Sequence, residues 1–157
     1  MFFTHLTKLQ TEFLNVSNSN NHAFWYRITK GLEAQAKRQW GIADNRSQEM
    51  GENVKYWAEK HPNKKILIWA HTWHLTHQGI DQINAGQVIS EAYKDDYFMI
   101  HFTAASGKYI DFIDMEEKAV SSLSENSFEE VMASNTKAEI SFVNIKALKA
   151  QNDLKQQ

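Results

Sequence analysis

The sequence predicts an α/β fold: a small mixed sheet of about three to four strands, one central and buried plus a hairpin, packed with α-helices in a single domain over residues 1–157. Three observations carry this expectation. The apolar run Ile66-Leu67-Ile68-Trp69-Ala70, entered from the turn-forming Pro62-Asn63-Lys64-Lys65, is rich in β-branched and aromatic residues and reads as a strand covered on both faces. Tyr97 to Thr103 and Tyr109 to Asp114 flank Ser106-Gly107 and pair most simply as a hairpin. Several longer stretches repeat apolar residues at helical spacing, which supplies the covering layer.

The helices follow in order. Phe2, Phe3, Leu6, Leu9, Phe13 and Leu14 share one helical face over residues 2–14. The Ser- and Asn-rich stretch 16–22 favours side-chain bonds to its own backbone and reads as a loop. From 23 to 40 the stripe Trp25, Ile28, Leu32, Ala36 and Trp40 is expected to face inward, with Gly41 as the stop. A third helix is expected from a cap at Asp44 or Asn45 to about His61, where Pro62 ends it. A shorter helix over 86–93 buries Val88, Ile89 and Ala92. Ser127 and Glu130 form a capping box that opens a helix through Met132. Residues 137–145 alternate well enough for a further strand, His101 reads as a structural residue within its strand, and a polar helical tail closes the chain.

Composition excludes several classes of function. Seventeen basic and 19 acidic residues give a formal net charge of −2, without the clustered basic excess that phosphate backbones select, so no nucleic acid partner is expected. The absence of cysteine removes disulfides and thiolate metal sites and is compatible with a reducing cytosol. No stretch approaches the roughly 18 apolar residues of a membrane span, and the N-terminus lacks a secretory pattern. The expectation is a cytoplasmic protein without membrane contact. A serine nucleophile elbow and a glycine-rich phosphate loop are both missing.

Chemistry concentrates just past the buried run, where His71, His74 and His77 follow with Trp73 among them. Strand ends of this kind carry ligands in open sheets, and imidazole, with an ordinary pKa of about 6.5, exchanges protons near neutrality. On the residues alone the alternatives stay open: ordinary satisfied histidines, a catalytic or binding pair, or a divalent metal held by the three imidazoles. The third helix adds an unusual stripe of Arg46, Met50, Asn53 and Trp57. Its guanidinium either reaches solvent or a partner acid, or lines a polar cleft.

Four blocks in a fixed order, RSQEMGENVKYW (46–57), KILIWAHTWHL (65–75), AG (85–86) and DDYFMIHFTAASGKY (95–109), resemble the erythromycin esterase family, which includes succinoglycan biosynthesis-like proteins. The resemblance spans roughly residues 20–145 and corresponds to the latter part of such a protein. It implies hydrolysis of a carboxylic ester or macrolactone by an activated water, with no metal or other cofactor, and hence a link to macrolide resistance. His71, His74 and Arg46 are the implied catalytic residues, with Asn53, Trp73 and Glu52 on the substrate. The chain departs from the family pattern in Ser47 for Asp, Thr72 for Asn, Ala85 for Met and His101 for Gly. The family's presumed base, a His with a nearby Glu, lies in an N-terminal half with no counterpart in these blocks. The expectation is therefore a truncated, weak or inactive hydrolase. A non-catalytic interaction module that self-associates or pairs with an N-terminal half is one alternative, and a His-rich metal-binding domain is another.

Overall fold

A computed structural model of the chain describes residues 1–15, 20–78, 82–111, 113–120, 123–138, 140–145 and 147. The described part is helix-rich, and it divides into two compact units, Met1–His101 and Phe102–Gln157.

The first unit is built on three long helices, α1 (Phe2–Asn15), α2 (Asn20–Gln39) and α3 (Arg46–Lys60), followed by the single turn α4 (Thr72–Leu75) and α5 (Ala85–Tyr93). Helix α1 lies against α2, α2 against α3, and α3 against α5. The α2 stop is as expected and complete. Gly41 takes φ +66°, the Gly41 N–H bonds the Arg38 carbonyl, and the Ile42 N–H reaches back to Lys37 at 2.8 Å. Asn45 occupies the position before α3, but its side chain makes no cap bond, and its Oδ1 is buried without a partner. The three residues Asn20, Asn21 and His22, expected in a loop, already belong to α2.

Helix α2 corrects the sequence reading most sharply. Trp25, Ile28, Leu32 and Trp40 are exposed rather than inward, while Thr29 and Ala34 are buried. The inner side of α2 is tied to its neighbours by polar groups. Arg27 donates to Asn53 Oδ1 at 3.0 Å, to the Glu49 carbonyl at 3.2 Å and to the Glu49 carboxylate at 2.7 Å. Glu33 accepts from Gln10 of α1 and from Lys30 and Lys37. Partial burial works to raise the Glu33 pKa, but the hydrogen bonds from Lys37, Lys30 and Gln10 outweigh it and take the carboxyl down to about 2. A helix anchored through charge in this way turns its apolar stripe outward.

The expected central strand is also corrected. Residues 65–70 run without regular structure, with Leu67 89% and Trp69 83% exposed. An apolar run becomes a strand only when a neighbouring strand supplies backbone donors and acceptors, and among the described residues the sheet consists of two other strands. Residues 97–103 likewise form no strand, and His101 is exposed rather than held within one. Ala92 is exposed too.

The second unit holds the sheet, which has two strands among the described residues, not three to four: β1 (Lys108–Ile110) and β2 (Glu117–Ala119), antiparallel, with Tyr109 opposite Lys118. The hairpin turn thus lies after Ile110 and not at Ser106-Gly107. Aspartate side chains make it: Asp111 Oδ1 accepts from the Ile113 N–H, and Asp114 Oδ1 from the Glu116 N–H. Lys118 bridges both carboxylates. Helix α6 (Phe128–Asn135) is capped by Ser127, whose Oγ accepts from the Glu130 N–H, and runs past the expected end at Met132. Residues 137–138 and 140–145 form no strand. The expected C-terminal tail, 146–157, lies outside the described residues apart from 147.

Close helix approach in the first unit depends on two glycines. A Cβ on Gly51 would lie 2.7 Å from the Val88 Cβ, and one on Gly86 would collide with the Leu75 carbonyl group and the Thr76 oxygen. Gly31, in the middle of α2, faces open space. Alanine in a helix interior gains up to about 1 kcal/mol over glycine, and overpacking costs about 1–3 kcal/mol. Urea denaturation should therefore show Gly31→Ala raising the midpoint and Gly86→Ala lowering it, the latter by about 2 kcal/mol of stability.

Candidate functional site

Two side chains, Asn84 and Tyr97, hold α4 in place. Asn84 is fully buried and caps α5 through Oδ1, which accepts from the Gln87 N–H at 2.8 Å. Its amide donates to the Trp73 carbonyl at 2.9 Å and to Thr76 Oγ1 at 2.7 Å, so one side chain ties α5 to α4. The Tyr97 hydroxyl donates to the Leu75 carbonyl at 2.5 Å, and burial pushes its pKa up. Helix α4 is thereby held by its own last carbonyls.

Held in this way, α4 presents His74 against the first turn of α3. His71 precedes α4, and its Nδ1 accepts from the Trp73 N–H at 3.2 Å. Ser47, 3% exposed, bonds His74 Nδ1 at 2.9 Å and accepts from the Ala85 N–H at 3.2 Å. The Trp73 ring meets the His74 ring edge-on at 4.9 Å. Burial lowers the His74 pKa below the ordinary 6.5, and the charges of Arg46 and His71 lower it further, against a weaker opposite pull from Asp44. The shift favours the neutral imidazole, within the field of the Arg46 guanidinium.

The structure therefore brings Arg46, His71, Trp73 and His74 into one neighbourhood, with the Arg46 side of α3 exposed to solvent. It engages the other two expected residues elsewhere: Asn53 Oδ1 holds Arg27, and the Glu52 carboxylate pairs with Lys55 at 3.0 Å. His77 stands apart against the Tyr97 ring at 5.1 Å. Among the described residues no three of His, Asp or Glu gather in a way that could hold a metal ion. Sequence reasoning missed Ser47, Asn84, Tyr97 and Arg27. Only Asn84 carried a local signal, the Asn-x-x-Gln spacing of a helix cap.

The model of the family described as erythromycin esterase matches residues 8–157. The chain belongs to the erythromycin esterase family. The match covers all the residues of the histidine site. No curated protein and no solved structure matches the chain. Among the described residues, no helix is long and apolar enough to cross a membrane.

The electrostatics of His74 have a direct consequence. A folded-state pKa below the unfolded 6.5 means that the neutral ring contributes stability that is fully present above pH 6.5 and is lost as the pH falls through the lower, folded value. NMR titration should place the His74 midpoint below 6.5. In Arg46→Gln it should rise without returning to 6.5, because the burial persists.

Proposed function

We propose that this erythromycin esterase family chain carries the carbonyl-holding side of an ester hydrolase, acting on a small-molecule carboxylic ester or macrolactone. The observation that supports this most is the half-buried His74, hydrogen-bonded to the buried Ser47 and within the field of Arg46 and His71. Hydrolysis adds the oxygen of water to the acyl carbon and breaks the bond to the leaving alkoxide. The second proton of the water passes to that alkoxide, leaving an acid and an alcohol. The negative charge that builds on the acyl oxygen needs nearby donors and positive charge. In this reading His71 and His74 orient the water or the carbonyl, Arg46 offsets the developing charge, and Trp73 flanks the acyl group. Glu52 and Asn53, further along α3, are engaged by Lys55 and Arg27, and this reading gives them no contact with the acyl group. The reaction requires no cofactor.

A base that takes the proton from water typically contributes roughly 10²–10⁴-fold. No carboxylate is hydrogen-bonded to either imidazole among the described residues, so the isolated chain is a weak catalyst, or needs a second segment for full rate. Incubation with erythromycin and mass spectrometry tests this. Product one water heavier should form slowly, and the excess over buffer should disappear in His74→Ala. An excess that survives in that variant contradicts the assigned site, and turnover at ordinary enzyme rates contradicts the missing base.

A second reading rests on the exposed stripe of α2, Trp25 at 51%, Ile28 at 47% and Leu32 at 49%. In it the chain is an interaction module that self-associates or pairs with an N-terminal half, since contiguous apolar surface of this kind favours burial against another polypeptide. Light scattering that finds a stable monomer with no tendency to associate removes the self-association form of this reading.

A further inference from the structure

The two imidazoles of the site share a feature that determines what they can do to a substrate. Each has its Nδ1 occupied by a group from its own surroundings. At His71 the partner is the Trp73 backbone N–H, which can only donate, so Nδ1 is the acceptor and the ring proton of the neutral form sits on Nε2. At His74 the partner is the Ser47 hydroxyl, which could act in either direction.

The surroundings of Ser47 decide between the two directions. Its Oγ already accepts the Ala85 N–H, and the residue is 3% exposed. Among the described residues the hydroxyl has one acceptor within hydrogen-bond distance, His74 Nδ1. If Nδ1 carried the proton, the Ser47 O–H would be buried with nothing to donate to, and a buried donor without a partner is disfavoured. With the hydroxyl donating, the Ala85 N–H, the Ser47 hydroxyl and His74 Nδ1 are all satisfied. The Ala85 N–H gives to Ser47, Ser47 gives to His74, and the His74 proton stays on Nε2.

We infer that Ser47 is a positioning residue that fixes His74 as the Nε2–H tautomer, so that His74 meets an acyl oxygen as a hydrogen-bond donor and does not meet water as a base. With His71 in the same tautomer and Arg46 nearby, the site offers two N–H donors and a guanidinium. That set of groups recognises a carbonyl oxygen or an oxyanion. The charged groups acting on His74 are Arg46 and Asp44 from the start of α3 and its approach, and His71 from the approach to α4; the α5 side contributes the uncharged Ala85 N–H. This inference rests on the proposed hydrolase site for its ligand, but the tautomer itself is read without substrate.

Nitrogen-15 NMR of the histidine side chains in the full chain, recorded above the His74 titration, separates the two forms. The expected result is a pyridine-type shift at His74 Nδ1 and a pyrrole-type shift at Nε2. In Ser47→Ala both shifts should move towards the averaged values of a free imidazole. A pyrrole-type Nδ1 in the wild-type chain overturns the inference, because Nε2 would then be an acceptor that faces water as a base. Unchanged shifts in a folded Ser47→Ala overturn the role given to Ser47. Neither reading depends on ester turnover, so an inactive chain leaves the tautomer result intact, and a reversed tautomer leaves hydrolysis itself open to the erythromycin assay.

Discussion

The close approach of the α5 N-terminus to α3 and α4 is the constraint on which the site depends. Gly51 and Gly86 remove the side chains that would hold the backbones apart, and Asn84 spans the junction with three hydrogen bonds while fully buried. Only at this separation can the first N–H of α5 reach a hydroxyl on α3, and only then does that hydroxyl meet a ring on α4. Packing here sets chemistry: the same contact that closes the helices assigns the proton on His74.

The rest of the first unit is held by a different kind of force. Arg27 and Glu49, with side chains 15% and 11% exposed, join α2 to α3, and Glu33 gathers Gln10, Lys30 and Lys37 between α1 and α2. Pairs removed this far from water depend on good geometry and further hydrogen bonds to offset their desolvation, which the contacts of Arg27 with the Glu49 carbonyl and Asn53 supply. The apolar stripe of α2 is left outside as a result. Its exposure is a property of how the helix is anchored, and it is what gives the interaction-module reading its force.

Legibility in the sequence followed the range of the interactions. Helices α1, α2, α3, α5 and α6 were readable because their signals are local: apolar periodicity, Gly41 at a stop, Pro62 after an end, Ser127 before Glu130. Which side of α2 faces inward was not, because Arg27 and Glu33 find their partners more than twenty residues away. The run Ile66–Ala70 has the composition of a strand, but composition cannot provide the neighbour that a strand needs. The role proposed for His71 and His74 comes from their position after the apolar run and from the resemblance of their surroundings to the family's blocks. Ser47 was visible only as a departure from the family pattern, and its meaning depends on Ala85, 38 residues further on.

The central claim is that α3, α4 and α5 meet as one unit through Ser47. The Ala85 N–H tests it most directly, because it is the first helical donor of α5 and has no acceptor within its own helix. First-turn amides of this kind exchange rapidly with solvent unless something outside the helix holds them. Amide hydrogen exchange should find Ala85 protected to the level of the interior amides of α5, and Ser47→Ala should abolish that protection while the interior amides keep theirs. An Ala85 amide that exchanges like an open loop in the wild-type chain, with the interior of α5 still protected, would contradict the account.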